Sequence, residues 1–73
     1  MKKDYRGFEI TVKREMCMAG YDLIYYDIFR KSDLWELTSS YRDGGYVREV
    51  MKECEEMVDD YYKNPQEYEE EQE

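Results

Sequence analysis

Enzymatic chemistry needs side chains that attack, move protons or hold metals, and this sequence is poor in them. It has no histidine, which removes the commonest general base, the commonest zinc ligand and every Ser-His or Cys-His arrangement. Its two cysteines, Cys17 and Cys54, are too few for a disulfide framework and lack C-x-x-C spacing. Each reads as a small apolar side chain in a reducing compartment. Cys17, in Met16-Cys17-Met18, is the one candidate nucleophile. Nothing in its local sequence lowers its pKa, so an enzyme built on it is the weakest of three functional readings. Carboxylates are abundant, but they fall on the solvent side of a predicted helix or in a terminal run without fixed geometry, which does not suit two-carboxylate hydrolysis. Gly44-Gly45 precedes the same helix without the Lys-Ser or Lys-Thr of a phosphate-binding loop. The residues therefore specify no catalytic group, no metal and no cofactor; they offer surfaces.

Charge limits what those surfaces can meet. Over 73 residues the net charge is −8, and it is segregated: residues 1–31 hold seven basic and five acidic side chains, residues 32–73 four basic and fourteen acidic. A chain of this sign does not hold nucleic acid directly by neutralising phosphates. No apolar segment follows Lys2 and Lys3 as an export signal requires. Leu23-Ile24-Tyr25-Tyr26, the longest apolar stretch, is far short of the ~20 residues of a membrane span. The expected location is the cytoplasm, with no membrane contact.

The elements that must position these surfaces follow from hydrophobic period. Residues 6–14 alternate, with Phe8, Ile10 and Val12 on one side and Glu9, Thr11 and Lys13 on the other, the pattern of a half-buried strand. Ala19-Gly20 signals a turn, and residues 21–31 read as a second strand. One side of that strand holds Ile24, Tyr26 and Ile28 and is the core candidate; the other holds Tyr21, Leu23, Tyr25 and Phe29, interrupted by Asp27. After Lys31-Ser32-Asp33, residues 34–41 form a third strand with Trp35 and Leu37 inward and Glu36 and Thr38 outward. Val47, Val50, Met51, Cys54, Met57, Val58 and Tyr61 then make one stripe of an amphipathic helix. Asp43 is its candidate cap, and Asn64-Pro65 ends it. The expected fold is α+β: a three-stranded antiparallel meander packed on one C-terminal helix (β-β-β-α), a single domain over residues 1–63, with residues 1–5 as an arm. Residues 64–73, crowded with glutamate, are expected to form a disordered acidic tail.

Two candidate interaction faces result. On the helix, Glu49, Glu53, Glu56 and Asp60 recur at i, i+4, i+7 and i+11 away from the apolar stripe, with Glu55 and Asp59 alongside. Acid pairs one turn apart cost a few tenths of a kcal/mol each, so stability alone does not favour them. The row of four is sparser along the axis than the phosphates of a DNA strand, but with Glu55 and Asp59 added the charge density becomes comparable and could compete for a nucleic-acid groove on a basic partner. On the sheet, the side of the second strand bearing Tyr21, Leu23, Tyr25 and Phe29 faces away from the helix. Nine tyrosines, two phenylalanines and one tryptophan are more than one helix on one sheet face can cover. Tyrosine supplies contact area at low entropy cost.

A sheet of three strands followed by a helix resembles the double-stranded RNA-binding domain without its first helix. That family grips phosphates near the start of its last helix, where this chain sets Arg48 and Lys52 among Glu49, Glu53, Glu55 and Glu56, so RNA would meet a repelling field. The strand patterns Arg6-Gly7-Phe8-Glu9-Ile10-Thr11-Val12-Lys13-Arg14 and Tyr21-Asp22-Leu23-Ile24-Tyr25-Tyr26-Asp27-Ile28-Phe29-Arg30 resemble small acidic proteins of phages and prophages. That resemblance implies a setting in which such proteins block host defence, as anti-CRISPR proteins do on the nucleic-acid or assembly surfaces of Cas complexes. The leading expectation is a non-enzymatic, phage-encoded inhibitor of the anti-CRISPR type. Its partner would be a host complex with a basic surface, such as a CRISPR-Cas effector. The alternative is an accessory or regulatory protein that uses its tyrosine-rich sheet face to form a homodimer or to dock as a subunit.

Overall fold

The alternation of residues 8–12 decides which way the sheet faces. A computed structural model describes residues 1–69, with strands β1 (Lys2–Tyr5), β2 (Phe8–Met16), β3 (Asp22–Arg30) and β4 (Glu36–Asp43) and helices α1 (Val47–Lys63) and α2 (Pro65–Glu69). The strands form one antiparallel sheet in the order β1-β2-β3-β4. Helix α1 lies on the side carrying Phe8, Ile10, Val12, Ile24 and Ile28, all fully buried, and closes the core with Val50, Met51, Cys54, Val58 and Tyr61. Trp35, Leu37, Val47 and Met57 pack partly buried around that core. The stripe read from the helical period is therefore the stripe that packs.

The sheet has four strands, not three. Residues 1–5, expected as an arm, supply β1, which pairs with β2 from Lys2 opposite Thr11 to Tyr5 opposite Phe8. Arg6 and Gly7 connect them with φ of 50° and 85°. Two left-handed residues make the hairpin turn whose twist matches the strands, and an Arg-Gly pair is a quieter signal for it than Asn-Gly. The ends of β1 are also tied: the Met1 amino group donates to the Val12 carbonyl, and the Tyr62 hydroxyl donates to the Arg6 carbonyl.

β4 runs from Glu36 to Asp43, so Trp35 precedes it in the connecting loop. Opposite Ile28 and Phe29 of β3, β4 carries a bulge at Leu37 that sets Phe29 against Glu36 and Ile28 against Thr38. A one-residue irregularity switches faces downstream. Thr38, expected outward, consequently shares the helix side, and Tyr41 emerges on the open side.

Two further expectations need correction. The N-cap of α1 is Tyr46, with no side-chain cap bond, so Asp43 does not cap the helix. Residues 65–69, expected to be disordered, form α2. Pro65 suits the first position of a helix, and the Tyr68 ring packs edge-on against Tyr61 at 5.8 Å while its hydroxyl bonds Asp60. One aromatic side chain supplies the apolar contact that the glutamates lack. The remainder of that expected tail, residues 70–73, lies outside the described residues.

Candidate functional site

The pairing registers define the uncovered side of the sheet as four rows. From one end they read Glu15, Leu23, Asp43; then Lys13, Tyr25, Tyr41; then Lys2, Thr11, Asp27, Ser39; then Asp4, Glu9, Phe29, Glu36. Leu23, Tyr25 and Phe29 thus sit together on the open face of β3, half-buried by their neighbours. Tyr25 and Tyr41 stack obliquely, ring centroids 6.0 Å apart. Tyr41 is 61% exposed and Tyr21 51%. Tyr21 lies just before β3, in the hairpin turn beside Cys17, rather than in the rows. Tyr41 is the aromatic member that sequence reasoning missed, because its face depends on the bulge.

Charge on this face is divided between its two halves. On the β1–β2 side, Lys2 pairs with Glu9 at 3.2 Å, Lys13 with Glu15 at 3.0 Å and Lys31 with Asp4 at 3.0 Å. On the β3–β4 side, Asp27, Glu36 and Asp43 have no ion-pair partner among the described residues. Partial burial, reinforced by the charge of Glu36, raises the Asp27 pKa above the ordinary carboxylate value. A carboxylate held this way favours an incoming cation.

The acidic helix residues, expected as a row of four with Glu55 and Asp59 alongside, meet counter-charges that their spacing does not disclose. They occupy two flanks of α1, and the sheet supplies counter-charges to both. Toward β1, Lys3 donates to Glu55 at 2.9 Å, while Arg6 and the Tyr5 hydroxyl donate to Asp59 at 2.7 and 3.0 Å. The Arg6 hydrogen bond holds the Asp59 carboxyl below its ordinary pKa, with help from Tyr5. Toward β4, Arg42 clasps Glu53 with both terminal nitrogens and lowers its pKa. Asp60 accepts the Tyr68 hydroxyl. Only Glu49 and Glu56 of the six are exposed with neither an ion pair nor a side-chain hydrogen bond among the described residues. Exposed pairs contribute about 0–1 kcal/mol each, so their main effect is to spend the charge that a nucleic-acid mimic would need.

Cys17 has surroundings that its sequence does not disclose. Desolvation raises its pKa, but the hairpin folds the Tyr21, Ala19 and Gly20 backbone N–H groups and the Tyr21 hydroxyl around the sulfur, and together they bring the pKa below the ordinary thiol value. Cys54 goes the other way: burial pushes it up to about 11. Among the described residues, the groups that act on Cys17 are those backbone N–H groups and the Tyr21 hydroxyl. Among the described residues no three His, Cys, Asp or Glu side chains are grouped to hold a metal ion, and no helix is long and apolar enough to cross a membrane. No family model matches the chain, and no curated protein or solved structure matches it.

Proposed function

We propose that this chain is a non-enzymatic binding protein that docks the β3–β4 side of its open sheet face on a basic surface of another protein. The observation that carries this reading is the uncovered cluster of Leu23, Tyr25, Phe29 and Tyr41, bordered by Asp27, Glu36 and Asp43, none of which has an ion-pair partner among the described residues. Aromatic area supplies residence time, and a net charge of −8 steers encounter with a cationic partner. The partner class most in keeping with the phage-type resemblance is a host defence complex that handles nucleic acid, such as a CRISPR effector, whose basic channel the bound protein would obstruct. In this reading the protein is an anti-CRISPR-like inhibitor that works in the host cytoplasm. The helix row Glu49, Glu53, Glu56 and Asp60, with Glu55 and Asp59, plays a secondary steering part. A second reading, an accessory subunit or homodimer using Tyr21, Leu23, Tyr25 and Phe29, draws on the same open face and differs in what covers it.

The test is capture of a partner from bacterial lysate followed by affinity measurements at two salt concentrations. Two variants are compared after circular dichroism establishes folding: Tyr25→Ala with Tyr41→Ala, and Glu49→Lys with Glu56→Lys. The proposal expects a nucleic-acid-handling partner, affinity that falls with salt, and the larger loss in the tyrosine variant. Loss confined to the helix variant would move the site to α1. Self-association lost in the tyrosine variant, with no heterologous partner, would favour the homodimer.

A further inference from the structure

The two outer strands of the sheet are unlike. β1 has four residues, two of them Lys2 and Lys3, and its side chains are tied to the helix through Lys3–Glu55 and Tyr5–Asp59. Short length and lysine are the ordinary protections of a sheet edge. β4 has eight residues, with neither lysine nor proline, and among the described residues it has a neighbour strand on one side only. Its middle, Thr38-Ser39-Ser40-Tyr41, is mostly exposed. An edge of that length leaves a row of backbone N–H and C=O groups ready to pair with another strand.

We propose that the outer edge of β4 accepts an extended segment of the partner as a fifth strand, with cationic side chains of that segment placed on the open face near Glu36 and Asp43. This deepens the reading above and rests on its premise of a basic protein partner. Strand addition draws affinity from main-chain hydrogen bonds and specificity from alternate side chains. The alternate side chains that β4 turns to the open face are Glu36, Ser39, Tyr41 and Asp43. The two acids stand at opposite ends, six β3 rows or roughly 20 Å apart at about 3.3 Å per residue. Between them the exposed Tyr41 ring offers its face to a guanidinium or ammonium group. On the other side of the strand, Arg42 is already held by Glu53 and adds no free positive charge.

The same charges argue against a second copy as the occupant. Antiparallel pairing of two β4 strands brings Glu36 of one copy toward Asp43 of the other at both ends. Parallel pairing sets Glu36 against Glu36 and Asp43 against Asp43. Like charges directly across a pair of strands are destabilising, so the edge is biased toward a strand of opposite sign.

The probe is a synthetic seven-residue peptide of alternating valine and threonine with arginine at both ends, so that both arginines share one face, and its counterpart with glutamate at both ends. Each is added at about 1 mM to the full chain, while backbone amide shifts and hydrogen exchange are followed. The arginine-ended peptide is expected to bind about tenfold more tightly and to slow exchange in Glu36–Asp43 but not in Lys2–Tyr5. The double variant Glu36→Lys, Asp43→Lys, which leaves the core untouched, should reverse the preference between peptides. Equal binding of the two peptides, no binding of either, or unchanged preference in the variant overturns the proposal. So does perturbation confined to α1, although a basic partner then remains supported. β4 amides already protected in a dimer without peptide would assign the edge to a second copy. If the partner captured by the full chain proves acidic or binds independently of salt, the broader reading fails whatever the peptides do.

Discussion

One strand carries both of this protein's characters. On the side of β3 beneath α1, Ile24 and Ile28 are fully buried and face a helix stripe of matching shape. On the other side, Leu23, Tyr25 and Phe29 are comparable in size but only half-buried, and Asp27 sits among them with a raised pKa. No polar or charged side chain is buried on the covered side, whereas the open side holds a half-buried carboxylate in mid-strand. Stability thus depends on one face, and the other is left available for binding. Apolar content alone does not separate the two faces; a packing partner does.

The comparison can be broken most sharply on the covered side. Val50→Asp places a charge where the wild-type side chain is 1% exposed, without a cation to meet it. The expected cost is several kcal/mol, approaching the whole stability of a small domain, which is about 5–15 kcal/mol at most sizes. Urea denaturation with an unchanged midpoint would show that α1 does not close the core.

Paired truncations on adjacent residues give the next largest effect. Ile28→Ala, under the helix, should lose about 2–5 kcal/mol from transfer and cavity terms. Phe29→Ala, one residue on and facing outward, should lose about 1 kcal/mol despite removing a larger side chain, because much of it stays in contact with water. Equal losses in chemical denaturation would mean that something covers the open face in solution.

A smaller change is expected from Arg42→Ala, which frees Glu53 on the β4 flank of α1. The pair is open to solvent, so little stability is at stake. More informative is encounter rate: releasing a glutamate toward the β4 side should accelerate association with a basic partner at low salt and leave it unchanged at high salt. Stopped-flow measurements at two ionic strengths check this.

The smallest effect carries a sign. Because the folded-state pKa of Asp27 is raised, its ionised form is disfavoured by folding, and stability is lost as pH rises through that folded value. Asp27→Asn should therefore raise the melting temperature slightly at pH 7. The gain should vanish below the ordinary aspartate value of 3.8, where Asp27 is protonated in both states. A gain that persists at pH 3 would trace to packing rather than charge.

Much of this was legible before any coordinates. The period of two in Phe8, Ile10 and Val12 and the helical period from Val47 to Tyr61 each fix a face by local geometry, so the core partners followed from counting. The outward side of β3 was legible for the same reason. The first strand was not, because Lys2-Lys3-Asp4-Tyr5 shows no alternation of apolar side chains and takes its hydrogen bonds from a strand already placed. The face of Tyr41 was not, because a bulge against Ile28 and Phe29 shifts the count by one residue. Nor was the spending of the acidic helix row, since Arg42 and Glu53 are eleven residues apart and Lys3 and Glu55 fifty-two. What the sequence determined by itself is whatever repeats at the spacing of a single element: strand faces, the helix stripe, the absence of histidine and the excess of acid. Only the tertiary structure decided which carboxylates keep their charge unmet, which edge of the sheet stays open and how the backbone closes around Cys17, because each depends on distances between residues that no local period relates.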